Sequence, residues 1–437
     1  MRALVSVALA TLCATLAAQQ RRTPPEKPDE RIELPFTAGS EHWRVRTNVD
    51  EKTARRYLKI LEGVLAQLEK TYMPLEGRWK RIDVLVYARR AQMEREWKVR
   101  KSAGGMYTGR HIVCYHGIFS VTGSTVQVLA HEGTHAYQDA LLGGLRNLPV
   151  WLLEGMAVAS ESVKVDRAGN VSFGTPFRER VLHVQHDIDK HQFLSLRTLV
   201  STPAGAFAAR HYAYAGLLVF FMLKGGDASL RKALLDCLET ARAGRLDAET
   251  LQKHLKARTG ADLSALEKRF KRWAKGRRVP YSGRAVGTHY TSRVMGFDTR
   301  APGKKWRINV SSLLARSEYV VYWRTAPFAR FSVWAVANSY ASDTDEAADD
   351  RARRLREAGI EVNRSRTTLA RKDAVVLEFE CRDEEVMRDG KTYRVREVWL
   401  ATEKAVLRLR FQASPSDWGD VVEDMERAFD RFRLLGG

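Results

Sequence analysis

Residues 124–158 read STVQVLAHEGTHAYQDALLGGLRNLPVWLLEGMAV. Within them, His131-Glu132-Gly133-Thr134-His135 is an HExxH motif. The apolar run before it, STVQVLA (124–130), supplies the first half of a helix, and residues at i and i+4 share one helix face. His131 and His135 can therefore reach one Zn²⁺ at about 2.0–2.1 Å. Glu132, next to the first histidine, can hydrogen-bond a water on that metal and take its proton. A catalytic zinc site usually has a third protein ligand and an open position. Glu154 follows His135 after 18 residues. That interval lets the first helix finish, a loop turn at Gly143-Gly144, and a second helix starting at Pro149 bring Glu154 back. The spacing predicts one zinc ion per chain, held by His131, His135 and Glu154.

HExxH, an 18-residue gap and then WLxEG followed by Ala157 resembles the gluzincin pattern, as in the aminopeptidase N relatives. The resemblance makes His131, His135 and Glu154 zinc ligands and Glu132 the general base. From about residue 40 to 278 the layout looks like the peptidase MA-like proteins. The matching features are an early strand and long helix, the VLVYA strand (84–88), GGMY (104–107), LPVWLLEGMA (148–157) and an apolar helix opening with Tyr. The resemblance implies a zinc metallopeptidase acting on peptide or protein substrates. The metal polarises the peptide carbonyl and acidifies water, and Glu132 passes the proton to the leaving amine. GGMYTG (104–109) is not the GAMEN segment of exopeptidases, so an endopeptidase or a narrow-specificity protease is expected over an aminopeptidase. No GxSxG, Walker A or GxGxxG motif competes.

Gluzincins tend to use a Tyr or His to stabilise the oxyanion, and ARHYAYAGLLVFFML (209–223) offers candidates. Tyr212 matches the group best, with Ala215 and Val219 following; Tyr214 and His211 are alternatives, and simple packing of the helix start is another reading. HIVCYH (111–116) is the expected edge strand for an extended substrate. Asp139, one turn past His135, either orients a ligand or is solvated. His183, His186 and His191 read as an exposed loop or helix rather than a second metal site.

Working outward, 437 residues allow two to three domains at about 150 each. MRALVSVALATLCATLAAQQ has one basic residue, an apolar run and small residues before a cut near Ala17 or Ala18, a secretory signal over 1–18. It predicts an exported protein, periplasmic, secreted or at the cell surface, with no transmembrane span after cleavage. Residues 19–34 are a Pro- and charge-rich linker. Residues 35–280 form the mainly helical zincin-type domain with a small N-terminal sheet. Beyond 280, alternating strands with two helices, 344–358 and 417–430, give an α+β pattern. This part, 281–437, resembles the PsbP-like α/β sandwich in GFDTRAPGKKWRINV (296–310), its strands ending AVLRLRFQA and its terminal helix. The resemblance implies an accessory module with no catalytic motif. Its five tryptophans, Trp306, Trp323, Trp334, Trp399 and Trp418, read mainly as core.

Lys and Arg exceed Asp and Glu by 73 to 52, a net charge of +21. Seven of the eleven residues from Lys268 to Arg278 are basic. They read as a solvated helix face plus linker, or as a patch for an anionic polymer or surface. No zinc finger, RRM signature or basic zipper marks a dedicated nucleic-acid binder. Cys114, Cys237 and Cys381 lie far apart without CxxC spacing and read as buried small residues. Two competing functions stand beside the peptidase: a non-catalytic exported binding protein on a zincin scaffold, with a basic surface for an anionic partner, and a zinc hydrolase of non-peptide amides. A mere scaffold has no need of Glu132 between the ligands.

Overall fold

The computed structural model describes residues 32–77, 79–97, 103–119, 123–166, 168–176, 178–244, 246–277, 283–310, 318–337, 343–382 and 390–435. The signal expected at 1–18 and most of the linker lie outside the described residues. The chain divides into two units, one of residues up to His116 with Thr122–Val279, the other of Gly117–Val121 with Pro280–Gly437.

The first unit opens on a five-stranded sheet: β1 (Phe36–Gly39), β2 (Trp43–Thr47), β3 (Ile82–Tyr87), β4 (Gly105–Tyr107) and β5 (His111–Tyr115), in the order β1-β2-β3-β5-β4. β2, β3 and β5 run parallel, which requires crossovers. The first is α1 (Glu51–Thr71); Asp50 caps it by accepting from the Thr53 N–H at 2.6 Å. Ala54, Tyr57, Leu61, Val64 and Leu68 form its buried stripe. α2 (Arg90–Glu96) lies in the second crossover. The expectation that 111–116 forms the edge is overturned: β5 lies inside the sheet, and β4 folds back antiparallel onto it to become the edge. Parallel pairing with β3 fully buries Ile112, Val113 and Cys114.

β6 (Ile118–Phe119) falls in the Gly117–Val121 segment of the second unit; in the first unit, β7 (Gly123–Ser124) precedes α3 (Thr125–Leu142) and α4 (Val150–Ser160). A hairpin of β8 (Val163–Val165) and β9 (Val171–Phe173) follows. Six more helices complete the unit: α5 (Arg178–Asp189), α6 (Leu196–Ser201), α7 (Ala209–Lys224), α8 (Ala228–Ala243), α9 (Ala248–Thr259) and α10 (Leu263–Gly276). Among the described residues, no single helix is long and apolar enough to cross a membrane.

The second unit carries a small antiparallel sheet, β10 (Arg284–Val286), β11 (His289–Ser292), β12 (Phe297–Arg300) and the terminal β20 (Arg433–Leu434). Its main sheet has seven antiparallel strands: β13 (Arg307–Asn309), β14 (Glu318–Thr325), β15 (Phe328–Ala337), β16 (Asn363–Leu369), β17 (Lys372–Arg382), β18 (Thr392–Ala401) and β19 (Ala405–Ala413), ordered β13-β14-β15-β19-β18-β17-β16. Side chains alternate across each strand. On one face α11 (Thr344–Glu357) packs Ala348 and Leu355 among Leu377, Val395 and Trp399. On the other α12 (Trp418–Asp430) packs Val421, Met425 and Ala428 among Phe331, Leu409 and Phe411. Trp306, Trp334, Trp399 and Trp418 are buried core residues and Trp323 is half-buried. Glu397 is fully buried, with Arg351, Arg408 and Arg410 at 3.2–3.5 Å. These charges satisfy one another inside the fold, as buried ions must. Cys114, Cys237 and Cys381 are free thiols, the first two buried.

Candidate metal centre

α3 starts where the sequence provides a reciprocal cap: the Ser124 N–H donates to Gln127 Oε1 at 2.7 Å, and Ser124 Oγ accepts from the Val126 N–H at 3.3 Å. It ends at Gly143, whose φ of +66° suits glycine. Between these points nearly every residue is buried. α4 is apolar on all sides apart from Glu154 and its last residue, Ser160. A helix of that composition belongs in a core, and a lone carboxylate there must be paired.

The two helices are braced at several points. The hydroxyls of Thr134 and Ser160 meet at 2.8 Å and reach the Ala130 carbonyl at 2.7 and 2.9 Å. Gln138 Nε2 donates to the Leu153 carbonyl at 3.0 Å. This bracing brings His131, His135 and Glu154 together, with one potential ligand atom of each inside 4.8 Å of the others. Glu154 Oε2 lies 3.4 Å from His131 Nε2 and 3.6 Å from His135 Nε2. It is fully buried and accepts no hydrogen bond of ordinary geometry. Ligands 2.0–2.1 Å from one tetrahedral ion sit about 3.4 Å apart. The orphaned oxygen and the inward-turned nitrogens thus fit a zinc ion. Among the described residues, this is the only such group of three.

The outer nitrogens are also held. His131 Nδ1 lies 3.0 Å from Glu161 Oε1, and His135 Nδ1 lies 3.0 Å from Gln138 Oε1. With those nitrogens donating, displacement of the Nε2 proton by an incoming cation turns a lone pair inward on each ring. Arg180 Nη2 reaches Glu161 at 3.4 Å. Burial pushes the Glu154 carboxyl up, but His135 and His131 outweigh it and bring it down to about 2. Burial opposes the His131 imidazolium, yet Glu154 and Glu161 hold its proton well above the usual imidazole range. Glu161 is likewise pushed up by burial and brought below normal by Arg180 and His131. For Glu132 burial wins: the two histidines and the Tyr107 N–H lower its pKa, but the balance stays above an ordinary glutamate.

The other expected residues divide. Tyr214 Oη donates to Asp187 Oδ2 at 3.0 Å and accepts from the Leu194 N–H at 3.1 Å, so its phenol is committed to the α5 side of α7. His211 Nδ1 accepts from the Ala208 N–H and caps its own helix. Tyr212 shares a face with Ala215, Gly216 and Val219, the face packed on α4. It is buried, with its ring edge-on to Phe207 at 5.1 Å. Asp139 does not orient His135; it accepts from Tyr107 Oη at 2.7 Å, because Gln138 is the neighbour that reaches the ring. His183 and His186 lie on α5, where His183 faces Asp187 at 3.7 Å. On α10, Lys268, Arg272 and Lys275 are exposed, and Arg269 and Lys271 pair with Asp227 and Glu267. Glu161 and Gln138 escaped the sequence reading. Their signal is positional: Gln138 is three residues past His135 and Glu161 seven past Glu154, one and two turns along the ligand faces.

No family model matches the chain, and no curated protein matches it. Solved structures do. An M1 zinc metallopeptidase from Deinococcus radiodurans is 18% identical over 56% of this chain and 52% of its own, with a TM-score of 0.31. The chain spans about half the length of that protein. Cyanobacterial PsbP (CyanoP) from Synechocystis sp. PCC 6803 is 9% identical over 35% of this chain and 95% of its own, with a TM-score of 0.26. LpqN, involved in cell envelope biogenesis of Mycobacterium tuberculosis, is 14% identical over 35% of this chain and 87% of its own, also with a TM-score of 0.26.

Proposed function

We propose that this chain is an exported zinc-dependent peptidase, with His131, His135 and Glu154 holding the metal and Glu132 acting as general base. The carrying observation is the convergence of two imidazole Nε2 atoms on the orphaned Glu154 Oε2, with both outer nitrogens already fixed. A bound zinc ion supplies Lewis acidity for the scissile carbonyl and for water. Glu132 takes the proton of the attacking water and delivers it to the leaving amine. The Tyr212 phenol donates to the developing oxyanion. An extended substrate backbone pairs along the outer edge of β4, beside the Tyr107 N–H that meets Glu132, rather than with β5. The second unit serves as an accessory module, and the basic face of α10 meets an anionic surface.

Elemental mass spectrometry of the purified chain tests this reading, with Glu154→Gln and His131→Ala beside it. One zinc per wild-type chain, lost in both variants, together with cleavage of a peptide library, is the expected result. A chain that takes up no zinc after reconstitution refutes the peptidase and leaves the binding-protein reading.

A further inference from the structure

β4 lies along α3, and one of its residues touches the helix twice. At Gly105 an added Cβ would sit 2.6 Å from Val128 Cγ1, so bare backbone is what lets the strand press onto α3. Two residues on, the backbone N–H of Tyr107 donates to the Glu132 carboxylate. Strand alternation explains the direction: the neighbouring Thr108 N–H bonds the His111 carbonyl at 2.9 Å, which turns the Tyr107 N–H away from β5. The Tyr107 side chain then runs down the helix, and its Oη donates to Asp139 Oδ2 at 2.7 Å. Val128, Glu132, His135 and Asp139 are spaced four, three and four apart, so they form one face of α3. Tyr107 is buried and Asp139 half-buried.

We propose that Tyr107 is a positioning residue, a clamp whose phenol–Asp139 bond fixes the edge strand in register with α3 so that its backbone N–H aims the Glu132 carboxylate. This rests on the reading of Glu132 as general base. The register of β4 on β5 is set by their hairpin, where Thr108 and His111 bond each other, and the phenol–Asp139 bond is what ties that hairpin to the far end of the α3 face. Without that bond the carboxylate loses its orientation while the metal ligands keep theirs, because His131, His135 and Glu154 are braced from α4 and Glu161.

The test uses the full chain and four forms: wild type, Tyr107→Phe, Glu132→Ala and Asp139→Asn. Amide hydrogen exchange over 104–109, zinc content and steady-state peptide hydrolysis are measured on each. Tyr107→Phe removes only the hydroxyl, and Asp139→Asn keeps an acceptor for it. The clamp predicts exchange at the Tyr107 amide at least about fivefold faster in Tyr107→Phe and in Glu132→Ala, and near wild type in Asp139→Asn. It predicts roughly 10- to 100-fold lower kcat in Tyr107→Phe with unchanged KM and full zinc, largely rescued in Asp139→Asn. Unchanged exchange in both Tyr107→Phe and Glu132→Ala overturns the clamp whatever the activity. Faster exchange with unaltered kcat overturns the positioning role. A wild-type chain that binds zinc but cleaves no peptide refutes the peptidase reading, and the exchange pattern then decides the clamp by itself.

Discussion

Glu161 Oε1 lies 3.0 Å from Nδ1 of His131, on the opposite side of the ring from Glu154. The two carboxylates stand seven residues apart, Glu154 within α4 and Glu161 capping its C-terminal end, so one helix and its cap supply both a proposed ligand and the group that orients another. Arg180 anchors Glu161 in turn. Replacing Glu161 with Ala frees the imidazole to rotate and to present the wrong tautomer. Zinc affinity then falls about 10- to 100-fold, read by competition with a chelator of known affinity. Glu161→Gln, which still accepts from Nδ1, loses less. Equal affinities in all three forms would show that the contact does nothing for the metal.

Glu132 gives a pH prediction with a definite sign. Burial raises its pKa, so it keeps its proton to higher pH than an ordinary glutamate. A base must be ionised to act, so kcat/KM of the zinc-loaded chain rises with pH as Glu132 ionises, and a bound cation draws that ionisation to lower pH than in the metal-free chain. The upward shift from burial opposes folding. The stability it contributes to the metal-free chain is fully present below the unfolded value, near 4.3, and is lost as pH climbs through the folded value. Glu132→Gln should therefore cut hydrolysis by about 10²–10⁴-fold while keeping its zinc. Its metal-free form should melt higher than wild type at pH 7, and the two melting curves should converge at the acid end.

The His131–His135–Glu154 cluster was legible because HExxH and a glutamate 18 residues on are local patterns of chemically distinctive residues. Gln138 and Glu161 were not, since surface helices carry such residues at every turn and only the fold shows which ones face an imidazole. The edge strand was misplaced for a different reason. β5 has the apolar pattern of a strand, but sheet order is set by parallel pairing between segments far apart, and Gly105–Tyr107 is too short to show a period. β16 shows the limit most plainly. NRSRTTL (363–369) is exposed at six of its seven positions, so no alternation announces it; it is a strand because β17 pairs with it.

The approach of α4 to α7 depends on glycine. A Cβ at Gly155 would sit 2.8 Å from both the Ala215 carbonyl oxygen and Val219 Cγ2. A backbone oxygen cannot swing aside, so Gly155→Ala has to part the helices. Overpacking of this kind costs about 1–3 kcal/mol, and here the displaced residue is next to Glu154. The variant should melt several degrees lower and bind zinc more weakly than wild type, read by calorimetry with and without the metal. A normal melting temperature with normal zinc affinity would mean that the interface is looser than its geometry implies.

Two tyrosines on α7, two residues apart, point to opposite outcomes. Tyr214 is tied to Asp187 and to the Leu194 N–H, and Arg210 bonds the same aspartate at 2.7 Å. Its phenol therefore serves the α5–α7 packing, and Tyr214→Phe leaves Asp187 and one N–H short of a partner. The cost is about 1 kcal/mol of stability with little change in kcat. Tyr212 lies on the face of α7 that meets α4, and Tyr212→Phe keeps the ring that packs on Phe207. If its hydroxyl donates to the oxyanion, kcat falls about 10²- to 10³-fold with zinc content and melting temperature near wild type. Measured side by side, the pair separates oxyanion support from packing: a loss of kcat confined to Tyr212→Phe assigns the role, while a loss of stability alone in both variants returns Tyr212 to the core.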